Sequence, residues 1–218
     1  MSNIILYSYW RSSCSYRVRI ALNVKNLEYT YQEVHLLRDG GEQRKDNYKM
    51  LNPMGVVPCI LSEGRNIAES MAIVEYLDAV YPEHKLFPEN PYAAARVRQM
   101  CEIINAGTQP IQNLGVLQEL KHRFGADQEL VNEWCRHWIS RGLEAFSKVA
   151  DQVAGTFCFG DSVTAADIFL IPQVYNARRF NVDMEGAFPA LARIDETCRA
   201  LPAFQKADPA VQPDAPAC

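Results

Sequence analysis

A run of three serines and one cysteine, Ser12-Ser13-Cys14-Ser15, holds the hydroxyl and thiol groups with the clearest chemical potential. It lies between an apolar stretch at residues 4–9, which predicts a buried strand, and apolar residues at helical spacing over 18–24. A helix N-terminus exposes unpaired N–H groups and partial positive charge, so it favours anions. A hydroxyl or thiol there can hydrogen-bond a thiolate, and a thiol can become one. Simple N-capping beside a buried cysteine is the alternative interpretation.

Two residue pairs further along the chain can bind a peptide-like ligand. If the Val57-Pro58 bond is cis, the Val57 backbone turns outward and can pair with an extended peptide; an ordinary trans proline is the alternative. At a predicted helix start, Ser70 can bind a carboxylate while Glu69 holds an ammonium group; capping is the alternative. With the serine-cysteine run, these pairs predict a groove for a tripeptide thiol, whose ends lie at two helix N-termini.

The secondary structure that must position these residues changes along the chain from alternating strands and helices to helices alone. The first eighty residues are predicted as β-α-β-α-β-β-α, with a parallel first pair of strands and an antiparallel hairpin at Gly64. Prolines at 82, 88 and 91 indicate a linker, and helical patterns follow, interrupted near residues 107–110. Asp167 completes a capping box with Thr164, which makes it structural. We predict an α/β domain with a mixed four-stranded sheet over 1–81, a linker over 82–91 and an all-α domain over 92–218.

Composition excludes several classes of protein. The 218 residues carry 22 Lys and Arg against 26 Asp and Glu, a net charge of −4, which argues against a protein that coats nucleic acid. No apolar stretch approaches the ~20 residues that span a bilayer, and the start does not resemble a signal peptide. The seven cysteines are scattered and show no metal-ligand spacing with the histidines. We therefore expect a cytoplasmic protein with reduced thiols, no metal, and no membrane or nucleic-acid partner.

Several segments of the sequence resemble those of a known family. The segment Ser12-Ser13-Cys14-Ser15-Tyr16-Arg17-Val18-Arg19-Ile20-Ala21-Leu22 is similar to the signature of zeta-class glutathione transferases, the maleylacetoacetate isomerases. Four further segments also match that class: Leu51-Asn52-Pro53-Met54, Gln109-Pro110-Ile111-Gln112-Asn113, Pro172-Gln173-Val174 and Gln212-Pro213-Asp214. The resemblance covers essentially the whole chain. It implies the glutathione transferase fold, in which a thioredoxin-like N-terminal domain precedes an all-helical domain, and a homodimer.

The resemblance implies an isomerase with glutathione as a true cofactor. Glutathione thiolate adds to the cis double bond of maleylacetoacetate, and the resulting single bond rotates. Expulsion of the thiolate then gives the trans isomer, fumarylacetoacetate. This reaction is a step in tyrosine and phenylalanine breakdown. Maleylpyruvate isomerisation is the runner-up, and thiol transfer or dehydroascorbate reduction with Cys14 as nucleophile is a second enzymatic alternative. Glutathione conjugation is an expected side activity, and an interaction protein without glutathione is the non-enzymatic alternative.

The resemblance also implies roles for individual residues. Ser12 hydrogen-bonds the glutathione sulfur, Ser13 lies at the same turn, and Cys14 tunes or orders glutathione binding. Arg179 and Arg11 meet the acidic substrate, although a solvated helix face is the alternative for the Arg178-Arg179 pair. The implied glutathione contacts are Ser12, Cys14, Gln43, Val57, Pro58, Glu69, Ser70, Gln109 and Asn113. Trp134 and Trp138, four residues apart, are interpreted as core packing rather than as a binding surface.

Overall fold

The chain folds into two compact units in the computed structural model, which describes residues 4–216. The first unit combines the chain up to residue 85 with the chain from residue 200 onward, and the second comprises residues 86–199. Among residues 4–216, no helix is long and apolar enough to cross a membrane.

A four-stranded mixed sheet forms the centre of the first unit. Its strands are β1 (Ile4–Ser8), β2 (Tyr29–Glu33), β3 (Cys59–Ser62) and β4 (Arg65–Ala68), in the order β2-β1-β3-β4. β1 pairs in parallel with β2 and antiparallel with β3, and β3 and β4 form the hairpin. The predicted βαβαββα order and mixed sheet are therefore confirmed. β3 begins at Cys59, directly after Pro58, which has no N–H to give to the ladder.

Three helices of the first unit lie between these strands or directly after them. α1 (Ser13–Val24) joins β1 to β2, α2 (Asp46–Lys49) lies in the connection to β3, and α3 (Ser70–Val80) follows β4. α1 packs against α3. Because α1 and α3 each begin directly after a strand or its exit turn, their N-termini lie at the ends of β1 and β4, where the candidate residues occur.

The second unit is helical apart from one bridge between Ala154 and Gly160. Its helices are α4 (Pro91–Asn105), α5 (Leu114–Phe124), α6 (Gln128–Ala150), α7 (Ala165–Arg179), α8 (Met184–Ala187) and α9 (Pro189–Arg199). A 3₁₀ turn at Gln109–Gln112 separates α4 from α5, as the break near residues 107–110 predicts. α7 packs against α4 and α6 and is buried over most of its length, so it forms the core of this unit.

Asp167 closes the N-terminus of α7 from a fully buried position. Its carboxylate accepts hydrogen bonds from the Thr164 N–H at 2.8 Å, the Thr164 hydroxyl at 3.1 Å and the Cys158 N–H at 2.8 Å. Burial raises the pKa of the Asp167 carboxyl, and these hydrogen bonds act in the opposite direction. The side chain is committed to the predicted capping box, which confirms its structural role.

The C-terminal segment departs from the predicted domain boundary. α10 (Pro202–Ala207) packs against α1, where Asn23 Nδ2 donates to the Ala203 carbonyl at 3.1 Å. The described residues from 200 onward therefore group with the first unit and not with the helical unit that was predicted to extend to 218. Helical periodicity reveals an apolar face, but it does not identify the element that covers that face.

A buried lysine ties α1 to the chain after α3. The Lys25 side chain has no solvent exposure and forms an ion pair with Asp78 at 2.9 Å. Lys25 Nζ also donates to the carbonyls of Tyr81, Glu83 and His84 at 2.8, 2.9 and 3.2 Å. One cation therefore satisfies three carbonyls where the chain leaves α3.

Replacing Lys25 by methionine is expected to lower the free energy of unfolding by about 3–5 kcal/mol, the usual cost of removing one partner of a buried ion pair. The control is Lys45→Met, which removes an exposed lysine that lies 4.0 Å from Asp39 and is expected to cost less than about 1 kcal/mol. Urea denaturation measures both losses, and equal losses would contradict the role assigned to Lys25.

Candidate active site

The serine-cysteine run begins α1 with Ser12 as its N-cap. Ser12 Oγ accepts a hydrogen bond from the Ser15 N–H at 3.2 Å, and the Ser12 N–H donates to the Tyr9 carbonyl at 3.0 Å. A hydroxyl that accepts a bond keeps its own O–H proton for another acceptor. The first turn of α1 carries no acidic residue to neutralise its partial positive charge. Ser12 can therefore donate to an anion held at this helix N-terminus.

The two neighbours that follow Ser12 differ in exposure. Ser13 is 6% exposed, whereas Cys14 is half-buried. Arg11 is also half-buried, and its guanidinium carbon lies 5.4 Å from the centre of the Trp10 ring. Cys14 and Arg11 thus remain partly accessible at the turn before α1.

The start of α3 is joined to α1 by a buried arginine. Arg17 has no solvent exposure, and its Nη1 donates to Ser70 Oγ at 3.0 Å. Ser70 is the first residue of α3 and is itself buried. The two helix N-termini predicted to bind the ends of a ligand are therefore held by one side-chain hydrogen bond.

Glu69 has a backbone conformation that is unusual for its residue type. Its φ is +66° with ψ 117°, in a region that side chains other than glycine rarely adopt. Residues held in such conformations concentrate at functional sites. The Glu69 side chain is exposed immediately before Ser70, as an ammonium-binding carboxylate requires.

Gln43 lies in the connection between β2 and β3, within a 3₁₀ turn at Glu42–Arg44. Its Nε2 donates to the Leu36 carbonyl at 3.3 Å, and among the described residues none donates to its buried Oε1. Gly41 has φ +102°, and a Cβ there would lie 2.6 Å from the Gln43 amide, so only glycine fits. The packed amide thus has a buried oxygen without a donor among the described residues.

Val57 is positioned by hydrogen bonds to the residue before it. The Val56 carbonyl accepts from the Tyr48 hydroxyl at 2.8 Å and from Asn52 Nδ2 at 2.7 Å. The Val57–Pro58 peptide bond is cis. Neither Tyr48 nor Asn52 was predicted as a site residue, although Asn52 belongs to a segment that matches the class.

One apolar cluster connects the loops that carry these residues. Its buried members are Tyr9, Val34, Tyr48, Val57 and Cys59. Trp10, Leu36 and Ala68 pack against this cluster. Trp10 and Ala68 lie close in sequence to Ser12 and Glu69, and the Leu36 carbonyl accepts the hydrogen bond from Gln43. The first unit thus holds together the predicted residues Arg11, Ser12, Ser13, Cys14, Gln43, Val57, Pro58, Glu69 and Ser70.

Three predicted site residues belong to the second unit. Gln109 opens the 3₁₀ turn, and Asn113 is the N-cap of α5, where its side chain accepts from the Gly115 N–H at 3.4 Å. Arg179 ends α7, exposed, with its guanidinium 4.7 Å from the centre of the Phe180 ring. Arg178, also exposed, pairs with Glu185 at 2.5 Å and with Asp195 at 3.3 Å.

The 3₁₀ turn that carries Gln109 has supports that sequence reasoning missed. Gln112 Nε2 donates to Gln173 Oε1 at 2.8 Å, in a pair that is almost fully buried. Trp134 Nε1 donates to the Ile111 carbonyl at 2.9 Å, and Trp134 and Trp138 are half-buried rather than core residues. Both glutamines lie in segments that match the class, but polarity alone predicts them to be exposed.

The cysteines divide into one partly exposed thiol and several buried thiols. Cys14 is half-buried, whereas Cys59, Cys101, Cys135, Cys158 and Cys198 are buried. Burial raises the pKa of the Cys59 and Cys135 thiols to about 11. Burial likewise raises the pKa of Cys158 and Cys198, and the charge of Asp167 adds to the shift. Cys218 lies outside the described residues.

Comparison with known proteins identifies the family of this chain. The model of the glutathione S-transferase N-terminal domain matches residues 11–80, and that of the C-terminal domain matches residues 128–211. Maleylacetoacetate isomerase of Dictyostelium discoideum is 46% identical over 215 residues, which are 98% of this chain and 97% of that protein.

Two solved structures extend the comparison. The holo structure of maleylpyruvate isomerase, a bacterial zeta-class glutathione S-transferase, has a TM-score of 0.93 at 41% identity and covers 97% of this chain and 100% of that one. Maleylacetoacetate isomerase of Anaeromyxobacter dehalogenans, with glutathione in its active site, has a TM-score of 0.88 at 44% identity and covers 99% of each chain. This chain therefore belongs to the glutathione S-transferase family, and within it to the zeta-class group that includes these isomerases.

Thiol labelling is expected to distinguish Cys14 from the buried cysteines. Iodoacetamide at pH 8 should modify Cys14 in the native protein and leave Cys59 and Cys135 unmodified, because thiols with a pKa of about 11 are almost entirely protonated there. Peptide mass mapping before and after unfolding reads out each site separately. Native labelling of Cys59 at the rate of Cys14 would contradict the burial described above.

Proposed function

We propose that this protein is a glutathione-dependent cis–trans isomerase that converts maleylacetoacetate to fumarylacetoacetate in tyrosine and phenylalanine breakdown. The observation that carries the proposal is the geometry of Ser12, whose Oγ is fixed at the N-terminus of α1 with its O–H proton left to donate. Arg17 fixes the second helix N-terminus relative to the first through Ser70. A tripeptide thiol needs these two anchor points for its sulfur and its amino-acid head group.

The residues of the first unit fit glutathione by chemistry as well as by position. The buried Gln43 Oε1 has an unfilled acceptor, Ser70 offers its hydroxyl and a helix N-terminus, and Glu69 offers a carboxylate for an ammonium group. We assign the cofactor to Ser12, Cys14, Gln43, Val57, Pro58, Glu69 and Ser70, and by resemblance to Gln109 and Asn113 of the second unit.

Bound glutathione supplies the thiolate that adds to the cis double bond beside a carbonyl and leaves after the bond has rotated, so it is not consumed. The Ser12 hydroxyl donates to the sulfur and favours its charged form. The N–H groups of α1 and their partial positive charge stabilise the same anion. Cys14 lies two residues after Ser12 and orders the bound thiol. By resemblance, Arg11 and Arg179 attract the two carboxylates of the substrate.

The test of the proposal is to follow loss of the cis substrate with and without added glutathione. Turnover without glutathione would overturn it. Ser12→Ala is expected to lower kcat by about 100-fold to 1,000-fold, the usual cost of removing one donor to a reacting anion. Cys14→Ala is expected to raise the KM for glutathione while turnover continues. If isomerisation instead disappears in Cys14→Ala, the sulfur chemistry belongs to Cys14.

Substitution of the adjacent arginines should separate substrate binding from stability. Arg179→Ala is expected to raise the KM for the dicarboxylate about tenfold, because a charged hydrogen bond contributes about 1.5–3 kcal/mol, with the KM for glutathione little changed. The control is Arg178→Ala, which removes the pairs with Glu185 and Asp195 and should lower the melting temperature instead. Equal KM values in the two variants would contradict the assignment of Arg179.

Maleylpyruvate is a second candidate substrate, since the TM-score of 0.93 is with a maleylpyruvate isomerase. Both molecules carry a cis double bond between a carbonyl and a carboxylate, so the same thiolate chemistry serves either one. The ratio of kcat/KM for the two substrates on the purified protein decides between them.

We also propose a homodimer in the cytoplasm. The family resemblance favours the dimer, and Met50 and Met54, 77% and 75% exposed, are apolar surface that an interface would cover. Free rather than paired cysteines at the described positions favour a reducing compartment. Light scattering coupled to size-exclusion chromatography tests the dimer.

A further inference from the structure

The C-terminal end of the first unit reaches the turn that carries Ser12. Asp214 accepts two hydrogen bonds, one on each carboxylate oxygen: from the Trp10 N–H at 2.9 Å and from the Tyr31 hydroxyl at 2.6 Å. Trp10 is two residues before Ser12, and Tyr31 lies on β2, the neighbour of β1 in the sheet. One carboxylate thus connects the catalytic turn to the sheet beside it. We call residues 206–214 the C-terminal clasp.

A buried cation holds the opposite side of the same turn. Arg19 Nη2 donates to the Trp10 carbonyl at 3.0 Å, and Nη1 lies 3.4 Å from the Tyr9 carbonyl. Arg19 Nε donates to the Ala207 carbonyl at 3.0 Å, at the start of the clasp. The N–H and the C=O of Trp10 are therefore held by groups of opposite charge, Asp214 and Arg19.

The clasp has its own internal hydrogen bonds. Gln212 is buried, and its Nε2 donates to the carbonyls of Lys206 and Asp208 at 3.0 and 2.8 Å. The Asp208 side chain accepts from the Ala210 N–H at 2.9 Å. These bonds fix the path of the chain up to Pro213, so the segment that brings Asp214 to Trp10 is held in one conformation.

We propose that Asp214 is a positioning residue for the isomerase reaction, acting through Trp10 to hold the turn of residues 9–12 and thereby the Ser12 hydroxyl. The Ser12 N–H bonds the Tyr9 carbonyl, so any shift of Trp10 moves both ends of this turn. The inference rests on the proposed function, because Ser12 must donate to the glutathione sulfur for its position to matter.

The physical reason is the narrow geometry of a hydrogen bond. A hydroxyl that stabilises a thiolate must point at the sulfur, and bonds weaken steeply as the angle at hydrogen falls towards ~120°. Misplacement of a reacting group by about 1 Å costs on the order of 100-fold in rate. Burial raises the pKa of Tyr31 and its hydrogen bond to Asp214 raises it further, so Tyr31 remains a donor throughout the working pH range.

Three variants test the proposal in the full-length protein with glutathione and the cis substrate. Asp214→Ala removes both hydrogen bonds to the carboxylate. Tyr31→Phe keeps the carboxylate and removes the bond that it accepts from β2, together with the hydrogen bond between the Tyr31 hydroxyl and Ser8. The control is Asp208→Ala, which removes a carboxylate from the same segment whose hydrogen bond goes to Ala210 and not to the turn. Measurements are kcat, KM for glutathione, melting temperature, and the pKa of the bound glutathione thiol by difference ultraviolet absorbance.

We expect Asp214→Ala to lower kcat about 10-fold to 100-fold and to raise the pKa of the bound thiol towards that of free glutathione, with less than about a threefold change in KM for glutathione. Tyr31→Phe should shift both quantities in the same direction by a smaller amount. Asp208→Ala should lower the melting temperature without shifting the thiol pKa.

Failure of this inference is distinguishable from failure of the proposed function. If the wild-type protein shows no glutathione-dependent turnover, the function is wrong. If wild type turns over but both Asp214→Ala and Tyr31→Phe match Asp208→Ala in kcat and thiol pKa, the clasp is purely structural and the inference is overturned. If Asp214→Ala does not fold, Tyr31→Phe decides alone: an unshifted thiol pKa overturns the inference.

Discussion

The fully buried guanidinium group of Arg19 is the constraint on which the first unit depends. An unpaired charge in a protein interior costs several kcal/mol, so each N–H group of this side chain must meet an acceptor. The acceptors come from the end of β1, from the turn before Ser12 and from Ala207, far along the chain. The chain must therefore return from the helical unit to complete the first one, and the segment that returns also brings Asp214 to the turn.

The candidate site contains a second buried arginine, Arg17. Arg17 and Arg19 are two residues apart on α1, so they project about 200° apart around the helix axis. Arg19 consequently faces the turn and the C-terminal segment, while Arg17 faces Ser70 at the start of α3. One helix thereby sets the geometry of both anion-binding ends, and the strained backbone of Glu69 lies where the second end must present a carboxylate.

Much of the fold was predictable because its signals are local. Strand and helix order, the Gly64 hairpin and the Thr164 capping box each depend on a few neighbouring residues, and the structure contains all of them. The end of the second unit was not predictable, because the sequence of a helix such as α10 shows an apolar face but does not show which element packs against it. Burial of Arg17, Gln112 and Gln173 was missed for a related reason: a polar side chain is buried only when a distant partner meets it.

The sequence by itself determined the class of the chain and the residue types of its chemistry: a hydroxyl and a thiol at a helix N-terminus, and a Glu-Ser pair at another. It could do so because capping, periodicity and motif spacing are short-range properties. Only the tertiary structure decided which polar groups act on one another. It joined Ser70 to Arg17, separated Arg178 from Arg179 in their contacts, and placed Asp214 on Trp10. These pairings depend on distances between residues far apart in the chain, which are set by burying apolar surface and satisfying buried polar groups together.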